Sequence, residues 1–96
     1  MIIGTAKLDI YLLSEPDSLK GKRQILNSVK AKVKNKFECL CAEIDCLDLW
    51  NKTVMGIVCV SNDRKVANSI LSKVIDYMEK FHEVEIQNVD MEFINM

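Results

Sequence analysis

Glycine and proline are scarce in this chain, with three Gly and one Pro among 96 residues. The apolar runs, such as residues 54–60, are far shorter than the roughly 20 residues that a membrane span needs. The N-terminus also lacks a basic segment followed by a long apolar stretch, which a secretory signal would have. With 49% hydrophobic and 28% charged residues, the composition is that of an ordinary folded protein. We therefore expect a single cytoplasmic domain over residues 1–96, with no membrane contact.

Carboxylates are absent from residues 18–36, although the whole chain has a formal net charge of −1. The same segment contains seven of the thirteen cationic side chains, namely Lys20, Lys22, Arg23, Lys30, Lys32, Lys34 and Lys36. Such a local excess of positive charge attracts phosphates or an acidic partner. We predict that Lys20, Lys22, Arg23, Lys30 and Lys34 bind RNA or phosphate.

Hydrophobic periodicity predicts six elements. Alternating or continuous apolar patterns indicate strands over about residues 2–12, 39–45, 53–61 and 84–93. Ser18 offers an N-cap for a helix over about residues 19–35, in which Leu26, Val29 and Val33 recur at helical spacing. A second amphipathic helix follows Asp63 and ends at about Phe81.

The order βαββαβ predicts an α+β, ferredoxin-like fold, in which right-handed crossovers place two helices on one face of a four-stranded antiparallel sheet. The predicted core contains Leu8, Ile10, Leu26, Val29, Val33, Ile44, Ile57, Ile70, Val74 and Met78. The face without helices is expected to carry Thr5, Lys7, Asp9, Tyr11, Cys39, Cys41, Glu43 and Asp45. This open face has to contact water, a ligand or another subunit.

The motifs form an ordered set that covers most of the chain: SLKGKR at residues 18–23, Phe37, EIDCLDLW at residues 43–50, Gly56 and VSNDR at residues 60–64. In this set the sequence resembles the YlxP-like family of small bacterial proteins of unknown function. Genes of that family often neighbour those for translation initiation and ribosome maturation, so the resemblance implies a connection with RNA or the ribosome. Family members commonly carry His in the loop before Asp-Leu-Trp, where this chain has Cys46.

Two groups of side chains could bind a metal. Glu43, Asp45 and Asp48 could hold a hard cation or act as an acid–base pair, but no nucleophile or phosphate-binding glycine loop accompanies them. The reduced thiols of Cys39, Cys41 and Cys46 lack a fourth ligand and the usual paired spacing of a zinc site. We predict no metal site, no cofactor and no catalytic residue.

The loops offer further candidates. Trp50, the only Trp, either covers the end of the core or serves as an interface anchor or base-stacking platform, and Glu43 and Asp48 belong to the same candidate interface. Asn62 and Asp63 form the N-cap region of the second helix, where they could also present backbone N–H groups to a phosphate.

Three functions remain open. The first is a non-enzymatic domain that associates with RNA or a ribosomal particle through its basic first helix, by phosphate contacts and shape. It would differ from an RNA-recognition motif, because the strand over residues 53–61 has no Phe or Tyr on which bases could stack. The second is a homodimeric protein-interaction or ligand-sensing domain that covers its open sheet face with a second copy. The third is a hydrolase of phosphorylated substrates, for which the sequence supplies no activating residue.

Overall fold

A computed structural model describes residues 1–96 and contains four strands and two helices. The strands are β1 (Ile2–Leu12), β2 (Leu40–Asp45), β3 (Lys52–Ser61) and β4 (Val84–Asn95), and the helices are α1 (Leu19–Lys36) and α2 (Arg64–Met78). Neither helix is both long enough and apolar enough to cross a bilayer. The predicted order βαββαβ is confirmed, and the element bounds differ from the prediction by three residues at most.

Each helix begins at a side-chain cap. The Ser18 hydroxyl accepts a hydrogen bond from the Gly21 N–H at 3.0 Å, and Asp63 Oδ1 accepts one from the Lys65 N–H at 2.9 Å. These bonds satisfy N–H groups that the first turn of a helix leaves without intrahelical partners. Ser18 and Asp63 are therefore the N-caps of α1 and α2, as the sequence predicts.

The strands form one antiparallel sheet in the order β2-β3-β1-β4. Helix α2 packs over β1 and β3, and α1 packs over β2 and beside α2, so both helices cover the same face. This is the ferredoxin-like α+β fold. The opposite face has no helix and is open.

One hydrophobic core fills the space between the sheet and the helices. It includes Leu8 and Ile10 of β1, Leu26 of α1, Ile57 of β3 and Val74 of α2, each of which is 2% exposed or less. Ile70, which we predicted in the core, is only partly buried and packs against its margin.

The sequence analysis predicted the wrong face of β2 to point toward the helices. Cys41 pairs with the buried Ile57, so Cys41 and Glu43 face the helices, whereas Ile44 lies on the open face and is 50% exposed. The sequence analysis placed Cys39, Cys41, Glu43 and Asp45 on the open face and assigned Ile44 to the core. The structure places the smaller thiol and an ion-paired carboxylate there, because β2 is the edge strand and its inner face meets the first turn of α1.

Candidate nucleic-acid interface

Helix α1 presents its cations around a narrow buried stripe. Leu26, Val29 and Val33 face the core, and the helix has no acidic side chain. Six cations of α1 reach solvent, five of them exposed and Lys30 half-buried: Lys20, Arg23, Lys30, Lys32, Lys34 and Lys36. None of the six takes part in an ion pair, because the only pairs in the molecule join Lys22 to Glu43 and His82 to Glu83.

Lys22 is the exception, and its predicted role in binding phosphate is wrong. Its side chain is 1% exposed, and its Nζ donates to Glu43 Oε2 and to the Cys46 carbonyl, each at 2.7 Å. The Thr53 hydroxyl donates to the same Glu43 oxygen at 2.7 Å, so the buried ammonium is paired and hydrogen-bonded. We call Lys22, Glu43, Thr53 and the Cys46 carbonyl the buried ionic network.

The signal for this network is present in the sequence and was missed. Lys22 lies four residues before Leu26 and seven before Val29, so it continues the apolar stripe of α1 into the first turn. A charged residue at a core position needs a buried partner of opposite charge, and Glu43 meets that need. Glu43 therefore belongs to the interior and not to an interface, which corrects its placement among the candidate loop residues.

The buried ionic network anchors the loop between β2 and β3. Cys46 has a left-handed backbone, with φ of 59°, which costs a non-glycine residue free energy. Its N–H donates to Asp45 Oδ1 at 2.8 Å, and its carbonyl accepts from Lys22 and from the Leu49 N–H at 3.2 Å. Two of these three hydrogen bonds stabilise the turn itself, and the bond from Lys22 joins it to the first turn of α1.

Trp50 lies in that loop and is 51% exposed, so it does not cover the end of the core. Leu47 and Leu49 are exposed beside it, as is Asp48. The loop therefore presents apolar and aromatic surface next to the N-terminal turn of the basic helix. Asn62, next to the Asp63 N-cap at the start of α2, is exposed in a different loop.

All four cysteines are free thiols, and Cys46 is the one that lies in this loop. Burial, followed by the neighbouring Cys39 thiol, raises the pKa of Cys41 to about 12, and the Lys30 ammonium offsets part of that effect. Burial also raises the pKa values of Cys39 and Cys59. The thiols of Cys39, Cys41 and Cys59 are therefore protonated near neutral pH, which is the opposite of an activated nucleophile. No three His, Cys, Asp or Glu side chains are grouped as metal ligands would be.

A second cationic surface was not predicted. Lys32 and Lys36 project from α1 toward α2, where Lys36 Nζ lies 4.4 Å from the centroid of the Tyr77 ring and Lys32 Nζ lies 5.1 Å from that of Phe81. Lys73 and Lys80 lie on the α2 side of the same cleft. The sequence analysis treated α1 by itself, so it had no means of pairing its cations with those of α2.

The fold and the exposed cations of α1 define a small ferredoxin-like domain with one strongly basic helix. Residues 3–91 match the family described as protein of unknown function (DUF503), and the chain belongs to that family. It is similar to the uncharacterized protein YlxP of Bacillus subtilis (strain 168), with 33% identity over 84 residues that cover 88% of this chain and 90% of that protein. The resemblance inferred from the motifs is thus confirmed.

Proposed function

We propose that this protein is a non-enzymatic RNA-binding domain of the cytoplasm that contacts structured RNA, such as that of a ribosomal particle, through α1. The contact surface consists of Lys20, Arg23, Lys30 and Lys34, which we call the basic flank. The observation that carries the proposal is the lack of any ionic partner for these cations on a helix without a carboxylate.

The charge distribution of the rest of the molecule supports this orientation. Strand β4 carries Glu85, Asp90 and Glu92 and no Lys or Arg, so the sheet edge formed by β4 repels phosphates. Cations collected on one element and anions on another orient the domain in the field of a polyanion before contact. Phosphate contacts of this kind bind without reading base sequence.

Trp50 complements the basic flank. Because the buried ionic network ties its loop to the first turn of α1, an RNA that lies on the flank has an exposed aromatic side chain nearby. An indole can stack on an unpaired base at the end or bulge of a helix. In this proposal the phosphates are bound by α1, and Trp50 favours a helix terminus over a continuous duplex.

The test compares two variants with equal change of charge. Arg23→Glu/Lys34→Glu reverses two exposed members of the basic flank, and Lys7→Glu/Lys65→Glu reverses two exposed cations on β1 and α2. A fluorescein-labelled RNA hairpin with a stem of about 16 base pairs serves as the probe. By fluorescence anisotropy, we expect the flank variant to bind at least about tenfold more weakly than the wild type, because two phosphate contacts become repulsive.

The control variant should keep its affinity within about threefold, since only the long-range field changes. Equal binding by the flank variant and the wild type would contradict the proposal. Circular dichroism melts of both variants show whether the fold is intact.

A second function, homodimerisation, is favoured by the apolar half of the open sheet face. Leu40 is 68% exposed, Ile44 50% and Val58 40%, and together with Gly56 they border a shallow depression of about 330 Å³. A Cβ on Gly56 would lie 3.2 Å from Ile44 Cγ2, so glycine is what lets Ile44 lie flat over β3. Contiguous apolar surface of this kind is typical of an interface.

Light scattering at increasing protein concentration tests this alternative. We expect a dimer for the wild type and a monomer for Val58→Asp, because a carboxylate in an apolar interface would be buried without a partner. A monomeric wild type at the highest attainable concentration would rule the dimer out.

A further inference from the structure

A cleft lies between the C-terminal parts of α1 and α2, on the side of α1 away from β2. Its walls are formed by Lys36, Phe37, Lys73, Asp76, Tyr77 and Lys80, and its volume is about 240 Å³. We call it the aromatic cleft. It opens on solvent and lies outside the basic flank of α1.

The aromatic rings of the cleft form a continuous row. Tyr77 stands edge-on to Phe37, with ring centroids 5.7 Å apart, and edge-on to Phe81, with centroids 5.0 Å apart. Tyr77 is thereby held between two neighbours, and its ring cannot turn freely. A ring fixed in this way offers a preorganised face to a flat ligand.

The cations of the cleft outnumber its anions. Lys36 comes from α1, Lys73 from α2 and Lys80 from the segment just after α2, while Asp76 is the one carboxylate in the wall. Lys32 of α1 lies nearby, over the Phe81 ring. None of the four ammonium groups forms an ion pair, not even with Asp76. Two of them lie over the aromatic rings instead, at distances at which a cation and a ring attract each other.

Fixed aromatic rings surrounded by unpaired ammonium groups are the combination with which proteins bind single-stranded nucleic acid, the base stacking on a ring and the phosphates contacting the cations. A protein partner with acidic side chains would use the lysines but would have no need of the row of rings. Duplex RNA cannot offer a free base, so it does not fit the cleft.

We propose that the aromatic cleft binds a single-stranded segment of RNA, with a base against Tyr77 in the place that the Lys36 ammonium occupies here and the adjoining phosphates at Lys73 and Lys80. The proposal rests on the RNA-binding function above and adds a second class of site to it. A structured RNA would then meet the basic flank with its helix and the aromatic cleft with an unpaired strand.

The experiment uses two probes on the full-length protein: a fluorescein-labelled oligouridine of about twelve nucleotides, and the hairpin already described. Lys73→Glu/Lys80→Glu leaves α1 unchanged. We expect it to weaken oligouridine binding by at least about tenfold and hairpin binding by less than about threefold. Arg23→Glu/Lys34→Glu should show the reverse order of effects, and Lys7→Glu/Lys65→Glu is the charge-matched control.

Tyr77 separates stacking from charge. Tyr77→Phe keeps the ring and should bind oligouridine like the wild type, whereas Tyr77→Leu should bind it about fivefold or more weakly, as expected for the loss of one base–aromatic stack. Because Tyr77 packs against two rings, thermal melts of both variants accompany the titrations. Equal affinities of the Phe and Leu variants, both folded, would overturn the stacking role.

Unchanged oligouridine binding by Lys73→Glu/Lys80→Glu would overturn the proposal. An equal loss of affinity for both probes would also overturn it, because it would indicate only a change in the long-range electrostatic field of the protein. Displacement of oligouridine by a polyglutamate peptide at equal charge concentration would also overturn it, because the cleft would then recognise charge alone. In each of these cases a hairpin that depends on Arg23 and Lys34 would leave the function proposed above intact.

Discussion

Helix α1 has the same type of residue in two contrasting situations. In its first turn, Lys22 is 1% exposed and bound to Glu43 and to the Cys46 carbonyl. Farther along, Lys34 and its neighbours are exposed and have no ionic partner. A run of basic residues that looks uniform in sequence therefore contains one buried, ion-paired cation and six that reach solvent without an ionic partner.

The difference arises from the position of each residue around the helix. Lys22 continues the stripe formed by Leu26, Val29 and Val33, whereas the free cations lie on either side of it. Spacing relative to the apolar stripe, more than residue type, thus separates the buried lysine from the exposed ones. The predictions below test this distinction, beginning with the largest expected effect.

Removal of the buried cation should be the most damaging change. Lys22→Ala leaves Glu43 buried without its partner, and we expect the free energy of unfolding to fall by about 3–5 kcal/mol. The same change at the exposed Lys34 should alter it by less than about 0.5 kcal/mol. Urea denaturation of both variants measures the contrast.

The double variant Lys22→Met/Glu43→Leu shows whether the pair itself or the loss of one partner matters. Because apolar residues need no compensating charge, we expect the double variant to recover much of the stability that Lys22→Ala loses. The hydroxyl of Thr53 would lose its acceptor, so recovery should be incomplete. A fall in stability no larger for Lys22→Ala than for Lys34→Ala would contradict the assignment of Lys22 to the interior.

The Cys41 thiol should have a smaller, pH-dependent effect on the free energy of unfolding. Cys41 has a raised pKa of about 12, against about 8.5 in an unfolded chain. Between these values the unfolded chain releases a proton that the folded protein keeps, so the stability contribution of the neutral thiol is complete below about pH 8.5 and is lost as the pH rises.

Urea denaturation at pH 8 and pH 10 measures this loss. We expect the decrease in unfolding free energy over this interval to be about 1–2 kcal/mol smaller in Cys41→Ala than in the wild type. Titration of lysines is common to both proteins and cancels in the comparison. Equal decreases in the two proteins would show that Cys41 does not resist ionisation.

Much of the fold follows from sequence patterns, and the exceptions have identifiable causes. Strand β1 and helix α1 each have one face that is clearly more apolar than the other. The orientation of both elements could therefore be predicted, from the alternation in β1 and from the spacing of Leu26, Val29 and Val33 in α1. In β2 the more apolar face is the exposed one, because the inward face is fixed by Glu43, whose partner Lys22 is twenty-one positions away. Local periodicity contains no information about such a long-range pair.

Local sequence patterns also predicted only part of the candidate site. The basic flank was recognisable because its residues are close in sequence and lack carboxylates. The aromatic cleft was not, because Tyr77, Lys73 and Lys80 meet Lys36 only when α1 and α2 pack together. A surface shared by two helices becomes visible when their relative placement is known.

The salt dependence of hairpin binding tests the central claim, that the free cations of α1 contact phosphates, most directly. For about three to five phosphate contacts, the logarithm of the affinity should fall with the logarithm of the salt concentration at a slope of roughly −2 to −4. Lys34→Ala should make this slope shallower by somewhat under about one unit. The same slope for Lys34→Ala and the wild type would contradict the account, because Lys34 would then displace no counterion from the RNA.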